Sequence, residues 1–315
     1  MSCNIIKKIS NKRYYSINYK KKTKTISFYK YCKIENIDCI QEKLFEICKK
    51  LEILGRIYIS YEGINAHISI KKHKIEELKI FIKKTFDYLT DIRFNLYSDN
   101  KKQPFKKLKI KKKLNILNCG IKDCSFDIKN TGHKLTANDF NAILMKNDFI
   151  LVDMRNSYEY EIGHFENALK ISSKTFRQQL KLLINNLKFY KSKNIIMYCT
   201  GGIRCEAASA WMMHNGFKYV SFLDGGIIEY VNFIKKNNYP MKFLGKIFVF
   251  DDRLYEKVTS DVLSLCHQCK IQPCDNYINC KNKKCNSLFI QCIYCNKTLN
   301  EFCSNFCNEY YQSKN

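Results

Sequence analysis

The sequence predicts an α/β protein in three parts. These are an α+β unit over residues 1–125, a parallel α/β unit over 137–239 and a cysteine-rich region over 240–315. Three observations carry that prediction. The first part reads strand, helix, strand, strand, helix, strand. The second alternates short buried-type strands with helices, as a parallel sheet requires. Nine of the 17 cysteines fall between Cys266 and Cys307.

Length and composition agree with this division. At ~150 residues per domain, a chain of 315 residues holds two or three domains. Its 45% hydrophobic and 14% aromatic content supplies a packed core and argues against disorder. No apolar run approaches membrane-spanning length, so no membrane partner is expected. The opening Met1–Lys8 stretch lacks a secretory pattern, so a cytoplasmic location is expected. Lys plus Arg number 55 against 29 acidic residues, a net charge of +26. Lys, Ile, Asn and Tyr abound while Gly (11) and Pro (3) are scarce, the imprint of AT-rich codons, so part of this charge reflects genome composition. A basic surface still attracts phosphate backbones.

In the first part, Lys24–Tyr31 is rich in β-branched and aromatic residues and predicts a strand. Residues 40–53 place Leu44, Cys48, Leu51 and Ile53 at near-helical spacing. Gly55–Ser60 predicts the second strand, Glu62–Asn65 a turn and Ala66–Ile70 the third strand. A helix over 74–87 and a strand over Ile92–Leu96 complete a ferredoxin-like order. The densest basic stretch follows: Lys106, Lys107, Lys109, Lys111, Lys112 and Lys113, with Phe105. It reads as a phosphate-contacting surface or as a solvated linker.

In the second part, Ile150–Asp153, Asn194–Cys199 and Tyr219–Leu223 predict three strands. Asn194–Cys199 runs directly into Thr200, Gly201, Gly202, Ile203 and Arg204, then into a helix that Asn215–Gly216 closes with an αL cap. Cys199 therefore sits between a strand end and a helix start. The two glycines let the backbone turn its N–H groups toward the thiol. Those donors, the helix N-terminus and Arg204 favour an anion at sulfur and a lowered pKa, hence a nucleophile. Cys205 reads either as a resolving thiol or as a small packing residue. Asp153 and Arg155 follow a strand end, where α/β proteins place functional groups, or form a structural ion pair. His164 is a candidate general base or a turn-stabilising residue.

The string Tyr198-Cys199-Thr200-Gly201-Gly202-Ile203-Arg204-Cys205-Glu206 resembles the active-site loop of rhodanese-like domains, where this cysteine carries a persulfide. Val152–Asn156, Gly163–Ala168 and Leu223–Ile227 look like the motifs that surround it. Together with Gly55–Tyr58, Glu62–Ala66, Phe250–Arg253 and Cys266-His267-Gln268-Cys269, the chain resembles the tRNA uridine-34 hydroxylases over nearly its whole length. A short stretch after Cys307 is the main departure, which bears on any tail contact with RNA.

The resemblance implies an acylphosphatase-like first domain, a rhodanese-like second domain and an oxidoreductase making 5-hydroxyuridine at the tRNA wobble position. Dioxygen would be the co-substrate and the anticodon loop of tRNA the partner, with no DNA expected. Cys199, Arg204 and Cys205 would form the catalytic group, with Thr200, Gly201, Gly202, Ile203, Asp153 and Arg155 supporting the loop. A thiolate adding at uracil C6 would raise electron density at C5; a persulfide on Cys199 acting in redox is the competing route. A sulfurtransferase working through that persulfide fits the bare loop equally well, and a silent RNA-binding protein is a third reading. Position 34 is unpaired, so splaying its base costs little beyond unstacking. RNA contacts are expected from Lys106, Lys107, Lys109 and Lys111.

In the third part, Cys266-x2-Cys269 and Cys292-x2-Cys295 have zinc-knuckle spacing, with Cys303-x3-Cys307 close behind and Cys274, Cys280 and Cys285 between. The expectation is structural zinc on Cys266, Cys269, Cys292 and Cys295, with redox disulfides as the alternative. Four thiolates leave no open position, so such an ion would staple a small domain and take no part in catalysis.

Overall fold

The alternation of apolar and polar residues along Thr23–Tyr31 and Gly63–Lys71 requires a sheet with one buried face. That is what the computed structural model shows; it describes residues 12–13, 23–99, 103–146, 148–173 and 175–313. The Met1–Lys8 stretch lies outside the described residues. The N-terminal sheet has the order β1-β6-β3-β4-β2-β5, built from β1 (Lys12–Arg13), β2 (Thr23–Tyr31), β3 (Leu54–Ser60), β4 (Gly63–Lys71), β5 (Asn95–Asp99) and β6 (Leu108–Lys112). Helices α1 (Ile37–Lys50) and α2 (Ile75–Thr85) cover one face, packing Leu44, Ile47, Leu78 and Ile82 on Ile26, Ile57, Ile68 and Ile110. Strands β2 to β5 are the expected ferredoxin-like set.

Local boundaries differ from the sequence reading where tertiary pairing decides them. The reversal between β3 and β4 uses only Tyr61 and Glu62, and Gly63 to Asn65 already belong to β4. Gly63 sits at φ +146°, and a Cβ there would lie 2.1 Å from the Lys30 carbonyl of the neighbouring strand, so a close strand approach requires glycine. The last expected strand begins at Asn95 rather than Ile92, because Arg93 turns away to pair with Asp224. The basic stretch is not a linker: Leu108–Lys112 is β6, parallel to β3, with Leu108 and Ile110 buried and Lys109 and Lys111 on the opposite face.

The central sheet is wholly parallel, in the order β10-β8-β11-β12-β7. Its strands are β7 (His133–Leu135), β8 (Ile150–Asp153), β10 (Leu169–Lys170), β11 (Asn194–Tyr198) and β12 (Tyr219–Leu223). Helices α5 (Phe176–Leu187) and α6 (Ile203–His214) pack one face through Leu180, Leu183, Ala208 and Met212. Helices α3 (Ala137–Ile143) and α7 (Gly226–Asn237) pack the other through Phe140, Ile227 and Tyr230. The short α4 (Ser157–Glu161) and β9 (Gly163–Phe165) follow β8, and β9 pairs with β13 (Phe243–Phe248), which also pairs with β14 (Tyr255–Lys257).

The tail forms a hairpin of β15 (Tyr277–Asn279) and β16 (Leu288–Ile290), followed by α8 (Ile293–Leu299) and α9 (Asn305–Gln312). It is anchored to the central domain by Glu161, which accepts from His267 Nε2 at 2.8 Å and from the Tyr277 hydroxyl at 2.6 Å. Among the described residues no helix is long and apolar enough to cross a membrane.

Candidate active site

β11 ends at Tyr198, and the four residues before α6 reverse the backbone around the Cys199 sulfur. Their carbonyls all point away from it. The Cys199 and Thr200 carbonyls accept from Ile227 N and Ile228 N at the start of α7, at 3.0 and 3.2 Å. The Gly201 carbonyl accepts from Asn95 Nδ2 at 3.1 Å, and the Gly202 carbonyl from Glu206 N at 3.0 Å. With the carbonyls turned outward, the Gly202 N–H faces inward and donates to Cys199 Sγ at 3.2 Å. Gly202 adopts φ +102°, and a Cβ there would meet the Tyr29 hydroxyl at 2.9 Å.

Burial of Cys199 would by itself raise its thiol pKa. The Cys205 thiol hydrogen bond, the Arg204 charge and the backbone amides of Cys205 and Gly202 outweigh it, and the pKa falls to about 6. Cys199 is thus a thiolate at neutral pH. The Cys205 thiol goes the other way: burial, then the hydrogen bond and charge of Cys199, push it well up. It stays protonated and donates to Cys199, which is not the state of a resolving nucleophile.

The Arg204 guanidinium, whose charge favours an anion at the Cys199 sulfur, is itself paired with Glu159, with Nη1 to Oε2 at 2.6 Å and Nη2 to Oε1 at 2.8 Å, while Nη2 also reaches Thr200 Oγ1 at 3.2 Å. Glu159 is fully buried, and Arg204 and Arg155 hold its carboxyl below the usual range against the opposing effect of burial. Arg204 therefore acts on the sulfur through its field and through Thr200, and an incoming phosphate would have to displace a buried carboxylate.

Asp153 and Arg155 form a buried ion pair, Nη2 to Oδ2 at 2.6 Å, under the rings of Tyr198 and Phe243. They fasten the end of β8 and do not line the cleft above Cys199. His164 stacks on Tyr160 at 3.9 Å and donates from Nδ1 to the Tyr160 carbonyl at 2.8 Å. It stabilises its turn and lies outside the cleft.

That cleft, about 370 Å³, is the space between the loop and the open face of the N-terminal sheet. Cys199, Thr200, Gly201, Ile203 and Arg204 line its floor. Its roof comes from cross-strand rows. In one, Lys109, Arg56, His67, Ser27 and Asn95 are successive register partners across β6, β3, β4, β2 and β5. In the next, Lys111, Tyr58, Asn65 and Tyr29 align in the same way. His67 stacks on Tyr97 at 5.2 Å, and burial lowers its pKa to about 4, so the ring is neutral. Its Nε2 is buried without a hydrogen-bond partner among the described residues, Asp251 Oδ2 lying 3.6 Å away.

The roof residues escaped sequence reading, although their signal was present. Ser27-x-Tyr29, Arg56-x-Tyr58 and Asn65-x-His67 alternate with buried Phe28, Ile57 and Ala66, marking a polar and aromatic sheet face. Glu159 offered no signal, since nothing local to Ser157–Glu161 indicates a partner at position 204.

The tail brings together the four sulfurs expected to meet, Cys266, Cys269, Cys292 and Cys295, all within 4.8 Å of one another in a group able to hold a metal. The structure also gathers a second group, Cys280, Cys285, Cys303 and Cys307, within the same limit.

This architecture and loop define a rhodanese-domain protein with an acylphosphatase-like domain ahead of it. The family models agree: a UPF0176 acylphosphatase like domain matches residues 23–116, a Rhodanese-like domain 136–232 and a Rhodanase C-terminal region 244–308. Curated proteins named tRNA uridine(34) hydroxylase are similar over most of the chain. Those of Yersinia pestis strain Pestoides F and Yersinia pseudotuberculosis serotype I are each 46% identical over 285 residues, covering 90% of this chain and 80% of theirs. That of Yersinia enterocolitica is 45% identical over the same length, covering 90% and 81%. The chain belongs to the tRNA uridine(34) hydroxylase family.

Proposed function

We propose that this protein hydroxylates C5 of the wobble uridine of tRNA in the cytoplasm, with dioxygen as co-substrate and Cys199 as the reacting thiol. One observation carries the reading: the low-pKa Cys199 lies on the floor of a cleft roofed by Tyr58, His67 and Tyr97, in a chain with these relatives.

Uracil enters the cleft from the unpaired anticodon loop and stacks on the aromatic roof, a contact of about 1–3 kcal/mol per base. The neutral His67 offers its unpartnered Nε2 to the base edge. Cys199 Sγ forms a bond to C6, and the C5–C6 π pair moves to C5 as an enolate. C5 bonds to dioxygen and, with one proton, becomes a hydroperoxide. A two-electron reductant of the thiol class breaks the O–O bond, releasing water and leaving the C5 hydroxyl. Loss of the C5 proton and departure of Cys199 restore the ring. Arg204 and Cys205 set the charge state of Cys199, and Thr200, Gly201, Gly202 and Ile203 hold the loop and floor. Lys109 and Lys111 continue the two roof rows onto β6, and with Lys106 and Lys107 they supply phosphate contacts.

The Gly202 N–H that faces the sulfur would serve a persulfide equally, which favours a sulfurtransferase as the second reading. Nucleoside mass spectrometry separates the two. Unmodified tRNA incubated under ¹⁸O2 with wild-type protein should gain one ¹⁸O at the wobble uridine, and Cys199→Ala should give none. No gain, in a preparation that transfers sulfur from thiosulfate to cyanide, would select the sulfurtransferase.

For the tail we propose zinc on Cys266, Cys269, Cys292 and Cys295. The donor set fits: Cys292 N donates to Cys266 Sγ at 3.3 Å and Cys295 N to Cys292 Sγ at 3.4 Å, so amides already face sulfurs that must be anionic to bind metal. Zinc there would be structural.

A further inference from the structure

The nine tail cysteines divide into four, four and one. Cys274 stands apart: its thiol donates to the Gln291 carbonyl at 3.3 Å, and burial raises its pKa. We propose that Cys280, Cys285, Cys303 and Cys307 are a second, independent zinc(II) site, closed by four thiolates and structural in role.

The sulfur geometry argues for it. A tetrahedron with Zn–S bonds of about 2.3 Å has S···S edges of about 3.8 Å. Cys285 to Cys303 is 3.7 Å and Cys303 to Cys307 is 3.5 Å. Disulfide sulfurs would lie about 2.05 Å apart. Two thiols come from the β15–β16 hairpin, Cys280 just after β15 and Cys285 in its loop. The other two flank the start of α9, where Ser304 caps the helix by accepting from Cys307 N at 3.2 Å. The first group has the same plan: one sulfur pair from the turn at Cys266–Cys269 and one from the start of α8, whose N-cap is Cys292. Soft sulfur donors alone select zinc over magnesium or calcium.

Two further observations point to an ion. Among the described residues the buried apolar set around the second group is Cys280, Phe289, Phe302 and Cys307, with Ile278 and Tyr311 half-buried against it, so two phenylalanines are its fully buried carbon side chains. A core that small does not hold a hairpin against a helix without a staple. The loop between Cys280 and Cys285 carries Lys281, Lys283 and Lys284, which offset the net −2 of a zinc tetrathiolate. The two sites are mechanically joined, since Gln268 of the first turn donates from Nε2 to the Phe302 and Cys303 carbonyls at 3.4 and 3.3 Å.

The inference does not rest on the proposed activity, and its test does not read activity. Native mass spectrometry and elemental analysis of the full-length wild-type chain should give two zinc ions per chain. Cobalt(II) should replace them with two equivalents of thiolate-to-cobalt absorption. Cys285→Ser combined with Cys307→Ser should retain one zinc, as should Cys269→Ser combined with Cys295→Ser. The wild-type counts need no variant to fold. One zinc per chain in the wild type, iron in place of zinc, or Cys303 linked to Cys307 in peptide maps of protein alkylated before digestion would overturn the second site. So would two zinc ions persisting in the Cys285→Ser, Cys307→Ser protein.

Discussion

Asn95 of the N-terminal sheet holds the carbonyl of Gly201 in the nucleophile loop, Nδ2 to O at 3.1 Å. The two residues are far apart in sequence and belong to different domains. The first domain therefore completes the Cys199 loop as well as roofing the cleft above it. Asn95→Ala should free the Gly201 carbonyl and cost about 1 kcal/mol of stability, the net worth of one hydrogen bond. The loop amides should then face the sulfur less well, and iodoacetamide titration should show the Cys199 midpoint moving upward from about 6.

The Cys199 thiolate has a consequence for stability. Its folded pKa is depressed from 9.0 to about 6, so the folded form releases a proton that the unfolded chain keeps. The stabilisation is fully present above about pH 9 and is lost as pH falls toward 6. Chemical denaturation of wild-type protein should show stability rising across that window, and Cys199→Ser should flatten the rise. Equal slopes would mean that the thiol is not depressed in the fold.

Glu159 and Arg204 neutralise each other out of water. Glu159→Ala should leave Arg204 buried and uncompensated, costing about 3–5 kcal/mol, visible as a large fall in melting temperature. Glu159→Gln keeps the shape and unmasks the Arg204 charge, so the Cys199 alkylation midpoint should move lower. An unchanged midpoint would show that Arg204 does not act on the sulfur.

Tyr58 stands in the roof with Lys113 Nζ 5.7 Å from its ring centre. If a base stacks there, Tyr58→Ala should weaken tRNA affinity by about fivefold to 150-fold, matching ~1–3 kcal/mol per stacked base. Tyr58→Phe should restore it, because the ring face carries the contact. Equal loss in both variants would point to the hydroxyl instead.

Lys111 lies beside Tyr58 in register. Lys111→Gln should reduce the slope of log affinity against log salt by about one and weaken binding of all tRNA sequences alike. An unaltered slope would remove Lys111 from the phosphate contacts.

Much was legible in the chain alone. The strand–loop–helix passage through Cys199 is local, since the glycines, the following helix and Arg204 all lie within a few residues. The ferredoxin-like order and the parallel sheet follow from hydrophobic period, which local side-chain alternation sets directly. The pairing of Cys266–Cys269 with Cys292–Cys295 follows from matching short spacings. Tertiary structure decided the rest. Period places Arg56, Tyr58, Asn65 and His67 on one face of a sheet but does not say what that face covers; docking against the central domain made it a roof. Arg204 carries a fixed charge in any reading, yet only the fold brings Glu159 to it and makes the two a buried pair. The second sulfur group has unequal spacings, four residues between Cys280 and Cys285 and three between Cys303 and Cys307. No local rule joins those pairs; the hairpin and α9 do, because packing Phe289 and Phe302 together brings the thiols within reach of one ion.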